Sequence, residues 1–163
     1  EILIGLVGSE MCIRDSNSGY NTGIDILYSG TVGAAMEALA NGIRSFAFSN
    51  KNDTSWETAD AYLISIVKEL LDENLSMDRI WNVNFPGCEL SECKGILRDR
   101  IPAKHQFYQD DYVRTNHADG SFSLRSKGVM TEKAEEGTDI SALLNNFISI
   151  GSVRCAALGY QKD

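Results

Sequence analysis

The residue types that could do chemistry are concentrated in a glycine-rich loop that leads directly into a helix. Residues Asn17–Asp25 carry two asparagines and two glycines, and Tyr28-Ser29-Gly30-Thr31 opens an alanine-rich segment. The first turn of a helix offers unpaired N–H groups and a partial positive charge, which suit phosphate. Glycine lets an anion approach the backbone, and neighbouring hydroxyls add donors. The predicted phosphate- and substrate-binding residues are Ser29, Gly30, Thr31, Gly19 and Asn21.

The side chain of Asn17 adds a second kind of chemistry. Its amide carbonyl is a hard oxygen ligand of the kind that Mg²⁺, Mn²⁺ and Ca²⁺ prefer. A simpler interpretation of the whole segment stays open: Ser29 only caps a helix, and the asparagines only shape turns. Pattern alone favours this simpler interpretation, because these residue types serve both purposes.

Helices and strands that alternate along the chain are predicted to position this loop. Apolar residues recur at helical spacing after Thr31, and Thr54 and Glu57 fit a capping box before a second helix. The order loop, helix, strand, helix, strand predicts an α/β fold with a parallel sheet. The predicted helices are Thr31–Asn41, Thr54–Glu73 and a short one from Thr138-Asp139 to Leu144; the predicted strands are Ser45–Ser49, Ile80–Phe85 and Phe147–Val153.

An exposed polar ribbon is predicted from about residue 95 to residue 128. Gly95–Ile101 and Gln106–Arg114 resemble its strands. Asp119-Gly120 is a hairpin signal between Tyr112–Arg114 and Ser121–Arg125. Aromatic side chains on this ribbon could anchor a contact between subunits.

Two histidines flank the adjacent pair Asp110-Asp111 on the same ribbon. A metal cluster of His105, His117 and these aspartates is conceivable. Charged and imidazole groups on an exposed ribbon are more often solvated, so we interpret this set as surface. The sequence also predicts Trp56 and Trp81 as core or edge aromatics.

Composition excludes several classes of protein. The 163 residues include 43% hydrophobic and 23% charged side chains, which is typical of one globular domain or a piece of one. The net charge of −8 argues against a nucleic acid partner, and no apolar run is long enough to predict a membrane span. Four sparse cysteines suggest free thiols in a reducing compartment, and we expect a cytoplasmic protein.

The first sixteen residues are predicted to be foreign to the protein. Leu6–Asp15 can be back-translated into a sequence that resembles a transposase-type adapter of DNA sequencing libraries. Gly5 fits the two adapter bases before it, and Glu1–Ile2 fits the flow-cell anchor that precedes a short index. Segments of this kind are set aside in reasoning about a fold. We therefore expect native sequence to begin at Asn17, in the middle of a domain that covers residues 17–163. Its first strands would then be missing, and the neighbouring strand edge would be bare.

Three blocks of the chain resemble the SurE family of nucleotidases. The first is NSGYNTGIDILYSGTVGAAMEALANGIRSFAFS from Asn17, which is similar to that family's Asn-x-Gly-x-Asn-x-Gly-x-Asp and Tyr-Ser-Gly-Thr-Val run. The second is IWNVNFPGCELSECKGI, with an Asn-x-Asn-x-Pro strand followed by Lys-Gly. The third is Gly137-Thr138-Asp139 with the strand after it. The blocks keep their order from Asn17 to about Val153.

The resemblance implies a three-layer Rossmann-like fold with a protruding β-hairpin that serves oligomerisation, in a homodimer or homotetramer. It implies a phosphatase that uses a divalent metal, Mg²⁺ or Mn²⁺, to hydrolyse nucleoside 5′- and 3′-monophosphates. Asn17 matches the family's asparagine metal ligand, and Ser29, Gly30 and Thr31 match its phosphate-side segment. The family's adjacent aspartate pair on an Asn-Asp-Asp-Gly loop and its metal-binding serine match nothing here, so no catalytic residue is assigned.

A chain that lacks this aspartate pair should bind a cation weakly, because one neutral amide remains from the ligand set. We therefore expect an inactive fragment of an active parent hydrolase. Two other classes stay open at this point. One is a non-catalytic phosphate- or nucleotide-binding module, and the other is an oligomerisation module that works through the ribbon.

Overall fold

The structure, a computed structural model, describes residues 11–14, 19–51, 54–109, 111–126 and 129–158. The described strands and helices alternate in the first half of the chain and give way to short strands in the second. They are β1 (Met11–Arg14), α1 (Gly30–Ala40), β2 (Arg44–Ser49), α2 (Glu57–Asp72), β3 (Arg79–Asn84), β4 (Ile96–Leu97), β5 (Tyr108–Gln109), β6 (Tyr112–Asn116), β7 (Phe122–Ser126), β8 (Val129–Met130), α3 (Asp139–Leu144) and β9 (Ile148–Arg154).

Five of these strands form one mixed sheet in the order β1-β2-β3-β9-β4. The first three run parallel, as the sequence predicts, whereas β9 runs antiparallel to β3. The prediction of a parallel sheet rests on the elements up to Phe85 and is confirmed for β2 and β3, whereas it gives no direction for β9. The register gives the reason for the direction of β9: Asn84, which ends β3, lies opposite Ser149 at the start of β9. The chain thus enters β9 at the edge where β3 ends, and it must run in the opposite direction.

The strand β1 lies beside β2, with Met11 opposite Arg44 and Arg14 opposite Ala47. The expectation of a bare edge next to β2 is therefore wrong. Parallel pairing uses backbone N–H and C=O groups that every residue except proline provides, so it does not depend on the origin of the paired segment. The prediction that residues 1–16 are foreign sequence stays a prediction.

Helices cover both faces of the sheet, which confirms the three-layer α/β fold. Successive residues of a strand point to opposite faces, and β2 shows this directly. Phe46 and Phe48 contribute to the apolar cluster beneath α2 with Ile66, whereas Ala47 belongs to the cluster beneath α1 with Val32. No helix in the described ranges has the length and apolar character needed to cross a bilayer.

The structure confirms the predicted capping residues of two helices and contradicts the one predicted for α2. The N-cap position of α2 is Trp56, whose side chain makes no capping hydrogen bond. Thr54 does not cap this helix, because its hydroxyl donates to the Lys51 carbonyl (2.7 Å). The capping box is therefore wrong. The Ser29 hydroxyl does cap α1, and Thr138 Oγ1 caps α3 by accepting from the Ser141 N–H (3.2 Å).

The exposed ribbon is shorter than the sequence predicts. Ile96 and Leu97 do not belong to it, since β4 pairs with β9 in the main sheet. The antiparallel pair β6–β7 forms the hairpin, and β5–β8 forms a small two-stranded sheet at its base. Tyr112 and Leu124 are each 57% exposed on this hairpin. The sequence does not show where the ribbon begins, because short strands of the main sheet and strands of a ribbon have similar patterns of alternating polar residues.

The close approach of β9 to the segment before α3 gives the first prediction. A Cβ added at Gly151 would lie 2.1 Å from the carbonyl oxygen of Arg100, so Gly151→Ala must displace backbone. We expect it to lower the free energy of unfolding by about 1–3 kcal/mol in urea denaturation. Gly33→Ala in α1 is the matched control, because nothing lies within 4 Å of its added Cβ. Equal stability of the two variants would contradict this packing.

Candidate functional site

Polar side chains meet the glycine-rich loop where the parallel strands β2 and β3 end. The backbone N–H of Asn21 donates to Asn84 Oδ1 (2.9 Å) and to Ser49 Oγ (3.2 Å). Asn82 Nδ2 donates to the carbonyl of Asn21 (2.8 Å), and the Ser49 hydroxyl also bonds to Asn84. Both backbone polar groups of Asn21 thus have partners on the strands. In open α/β sheets, this edge is where ligands bind.

The same loop residue reaches the start of α1. The Ser29 hydroxyl donates to Asn21 Oδ1 (2.6 Å) and accepts from the Val32 N–H (3.1 Å). Gly30 is exposed, and a Cβ added there would meet nothing within 4 Å. The amino end of α1 is therefore open, and Ser29 ties it to the buried polar network. An anion at this end would face the partial positive charge of the helix.

Two carboxylates hold the rest of the loop. Asp139 Oδ2 accepts from the Gly23 N–H (2.8 Å), and its Oδ1 accepts from Ala103 (2.9 Å) and Ile140 (2.7 Å). Asp25 Oδ2 accepts from the N–H groups of Phe107 (2.8 Å) and Tyr108 (3.0 Å). Both carboxylates therefore bond to backbone. Burial raises the pKa of Asp139 above its usual range, and the three N–H donors oppose that rise.

Two tyrosines close the side of the loop that faces the ribbon. The Tyr20 N–H donates to the hydroxyl oxygen of Tyr108 (3.1 Å), and the Tyr20 hydroxyl donates to the Pro86 carbonyl (2.6 Å). Burial raises the pKa of both phenols, with the larger rise at Tyr20, where the Tyr108 and Cys88 groups add to it. Both phenols therefore stay protonated near neutral pH and serve as hydrogen-bonding groups.

The structure brings together most of the residues that the sequence assigns to phosphate. Ser29 and Asn21 bond directly, Gly30 is exposed beside them, and Thr31 and Gly19 are buried. Asn21 has no exposed surface, so its side chain can act on a ligand only through the groups that it positions. Asn17 lies outside the described residues. The phosphate-binding role of this set stays a prediction.

Sequence reasoning did not assign Ser49, Asn50, Asn82 and Asn84 to the site. Asn82 and Asn84 are two residues apart in β3, so they share a face of the sheet. That Asn-x-Asn spacing at a strand end was a usable signal. Several buried polar atoms in this region have no partner within the described part of the chain, namely Asn50 Oδ1, Asn82 Oδ1, Asn84 Nδ2 and Ser149 Oγ.

The described residues do not fit a divalent cation. Within them, no three His, Cys, Asp or Glu side chains form a group that could hold a metal ion. The oxygens without partners are amide and hydroxyl oxygens, and Asp25 and Asp139 are both committed to backbone N–H groups. His117 is exposed beside Ser123, and Asp110 lies outside the described residues. A hard cation needs carboxylates that this part of the chain does not offer.

The fold and its hydrogen bonds define a class: a Rossmann-like α/β protein with a buried polar network at the carboxyl ends of its parallel strands. Comparisons with known proteins give the family. The family model described as "Survival protein SurE" matches residues 3–107. The chain therefore belongs to the SurE family.

Similar proteins agree with this assignment. The 5′-nucleotidase SurE of Rhodopseudomonas palustris strain BisA53 is 32% identical over 156 residues, which cover 91% of this chain and 61% of that protein. That of strain BisB18 is 29% identical over 160 residues, 93% of this chain and 63% of that protein. The crystal structure of the SurE protein from Aquifex aeolicus has a TM-score of 0.76 and 32% identity, covering 93% of this chain and 62% of that one. The chain thus spans about three fifths of these relatives.

Asp139 gives a prediction about pH. Because burial raises its pKa, the folded state holds the proton more tightly than the unfolded chain. The stability that this group contributes is therefore full below the ordinary aspartate pKa of about 4 and declines as the pH rises from there. Asp139→Asn removes this dependence. We measure by urea denaturation how much the free energy of unfolding of the original chain exceeds that of the variant. This difference should shrink from pH 4 to pH 7, and a difference that does not change with pH would contradict the prediction.

Ser29 gives a prediction about the start of α1. Ser29→Ala removes the cap on Val32 and one hydrogen bond to Asn21. We expect the free energy of unfolding to fall by about 1 kcal/mol or somewhat more. Ser65→Ala is the control, because Ser65 is exposed within α2 and alanine has the higher helix propensity. The idea fails if both variants unfold at the same denaturant concentration as the original chain.

Proposed function

We propose that this chain carries the phosphate-binding half of a nucleotidase that hydrolyses nucleoside 5′-monophosphates, and 3′-monophosphates, to nucleoside and phosphate. The observation that carries the proposal is the open amino end of α1 at Gly30, joined through Ser29 to the buried Asn21 network. The curated relatives, which are named 5′-nucleotidase SurE, support the same reaction class.

The local electrostatics of the site support a phosphate at this position. The chain as a whole carries a net charge of −8, which repels an anion at long range. A helix amino end offsets that repulsion at short range, since its N–H groups point at the ligand. The same groups would stabilise the negative charge that develops on a transferring phosphoryl group. The site therefore favours a small phosphate monoester over a polyanion.

We also propose that the divalent ion of the parent enzyme, Mg²⁺ or Mn²⁺, depends on carboxylates outside the described residues. The family resemblance assigns one further ligand to Asn17, which is a neutral amide. Because Asp25 and Asp139 beside the loop both accept backbone N–H groups, this chain should hold the ion weakly and should not turn over substrate by itself.

The exposed hairpin β6–β7 supports a homodimer or homotetramer as the assembled form. Apolar side chains on it remain exposed in the single chain, which is unusual unless another surface covers them. The same observation keeps an oligomerisation module as the second candidate function. Cys88, Cys93 and Cys155 are free thiols, which is consistent with our proposal of a cytoplasmic location.

Phosphate release from nucleoside monophosphates tests the proposal. With Mg²⁺ or Mn²⁺ present, we expect turnover by a parent protein that includes its native upstream sequence, and none by the 163-residue chain. Turnover by the short chain would refute its inactivity. A pure, folded parent that releases no phosphate from any nucleoside monophosphate would refute the proposed reaction.

A pair of variants in that parent locates the phosphate. Gly30→Asp places a carboxylate at the open end of α1, and we expect it to reduce kcat/KM at least ten-fold. Gly30→Ala is the matched control and should stay within about three-fold, because nothing lies within 4 Å of its added Cβ. An equal effect of the two substitutions would place the phosphate elsewhere.

A further inference from the structure

An open cavity lies between the segment that precedes α1 and the base of the ribbon. It offers about 400 Å³, and its lining consists of Asp25, Tyr28, Gln106 and Tyr108. This volume falls in the range of small-molecule sites in proteins. None of the four residues belongs to the set assigned to phosphate. Two phenol rings, one carboxylate and one amide therefore surround a space that is large enough for an organic ligand.

Two segments distant in sequence form the walls of this cavity. One is a short 3-10 helix, Gly23–Tyr28. Its three residues per turn place Asp25 and Tyr28 on the same face, one turn apart. The other wall is held against this helix by hydrogen bonds, since the N–H groups of Phe107 and Tyr108 both donate to Asp25 Oδ2 (2.8 and 3.0 Å). The cavity is therefore bounded by packed and bonded backbone.

The charge in the lining is negative. Asp25 is the charged residue among the described residues that line the cavity. Both backbone bonds go to its Oδ2, and no described residue donates a hydrogen bond to its Oδ1. Burial raises the pKa of Tyr108, and the Asp25 carboxylate adds to that rise, so the phenol stays neutral near pH 7. One carboxylate and two neutral rings favour a cation.

The chemistry of the lining distinguishes an organic cation from a metal ion. A hard metal ion needs several oxygen ligands, whereas a single carboxylate faces this cavity and one of its oxygens is committed to backbone. Aromatic rings attract cations that are weakly hydrated, and alkylated ammonium groups are the common example in proteins. The volume of the cavity likewise suits an organic ion.

We propose that this cavity binds an organic cation that carries an alkylated ammonium group. The ammonium group lies beside the free oxygen of Asp25 and contacts the rings of Tyr28 and Tyr108. Tyr28 directly precedes Ser29, which caps α1, so the cation site adjoins the proposed phosphate site without sharing a residue with it. Binding of the cation does not depend on the proposed nucleotidase reaction.

Titration calorimetry with choline on the 163-residue chain tests the proposal without turnover. The neutral compound 3,3-dimethyl-1-butanol is the matched control, because it has the shape of choline and lacks the charge. We expect choline to bind about ten-fold more tightly than this compound, since the rings and the carboxylate both attract the charge. Absence of choline binding, or equal affinity for the two compounds, would overturn the proposal.

Substitutions of tyrosine locate the bound cation. Tyr28 is 76% exposed, so Tyr28→Leu should fold, and we expect it to weaken choline binding about five-fold because one ring is lost. Tyr28→Phe keeps the ring and should bind choline as the original chain does. Tyr112→Leu on the hairpin, where Tyr112 is 57% exposed, is the control for non-specific effects and should also leave binding unchanged. Equal affinities of Tyr28→Leu and Tyr112→Leu would overturn the site.

Asp25→Asn tests the charge at nearly constant shape. Both backbone N–H groups bond to the same carboxylate oxygen, so the single oxygen of asparagine can accept them both. We expect the variant to melt cooperatively and to lose the preference for choline over its neutral analogue. A folded variant that keeps the full preference contradicts the role of Asp25 and overturns the proposal. If the variant does not fold, the pair Tyr28→Leu and Tyr28→Phe decides.

Discussion

One buried residue, Asn21, joins the loop, the ends of β2 and β3 and the start of α1. Its N–H and C=O bond to side chains at the ends of β2 and β3, and its side chain bonds to the residue that caps α1. Polar groups buried this completely are costly unless they are paired, so the loop has few alternative conformations. The position of the open helix end relative to the sheet follows from this single constraint.

The two carboxylates nearest to the loop serve structure rather than chemistry. Asp139 and Asp25 each accept backbone N–H groups from segments far along the chain, and they thereby attach the loop to α3 and to the base of the ribbon. Both oxygens of Asp139 face backbone donors.

The carboxyl edge of the sheet has different surroundings at the starts of the two longer helices. The start of α1 is polar and exposed, whereas Trp56, Phe48 and Phe85 line a cavity at the start of α2. The two helices lie on opposite faces of the sheet, so the strand ends between them separate the two surroundings. This division depends on alternation along β2, where neighbouring residues face different layers.

Local pattern determined the helices α1 to α3, the strands β2, β3 and β9 and the hairpin turn, because periodicity and caps are properties of neighbouring residues. It also singled out Ser29, Gly30 and Asn21 as a group. Only the tertiary structure decided that Ser49 and Asn84 meet that loop, that β9 runs antiparallel, and that the buried Asn50 Oδ1 has no hydrogen-bond partner among the described residues. The bonds from Asn21 to Ser49 and Asn84 join residues 28 and 63 positions apart, and the pairing of Asn84 with Ser149 joins two distant segments as well. Spacing in one sequence carries no record of such contacts.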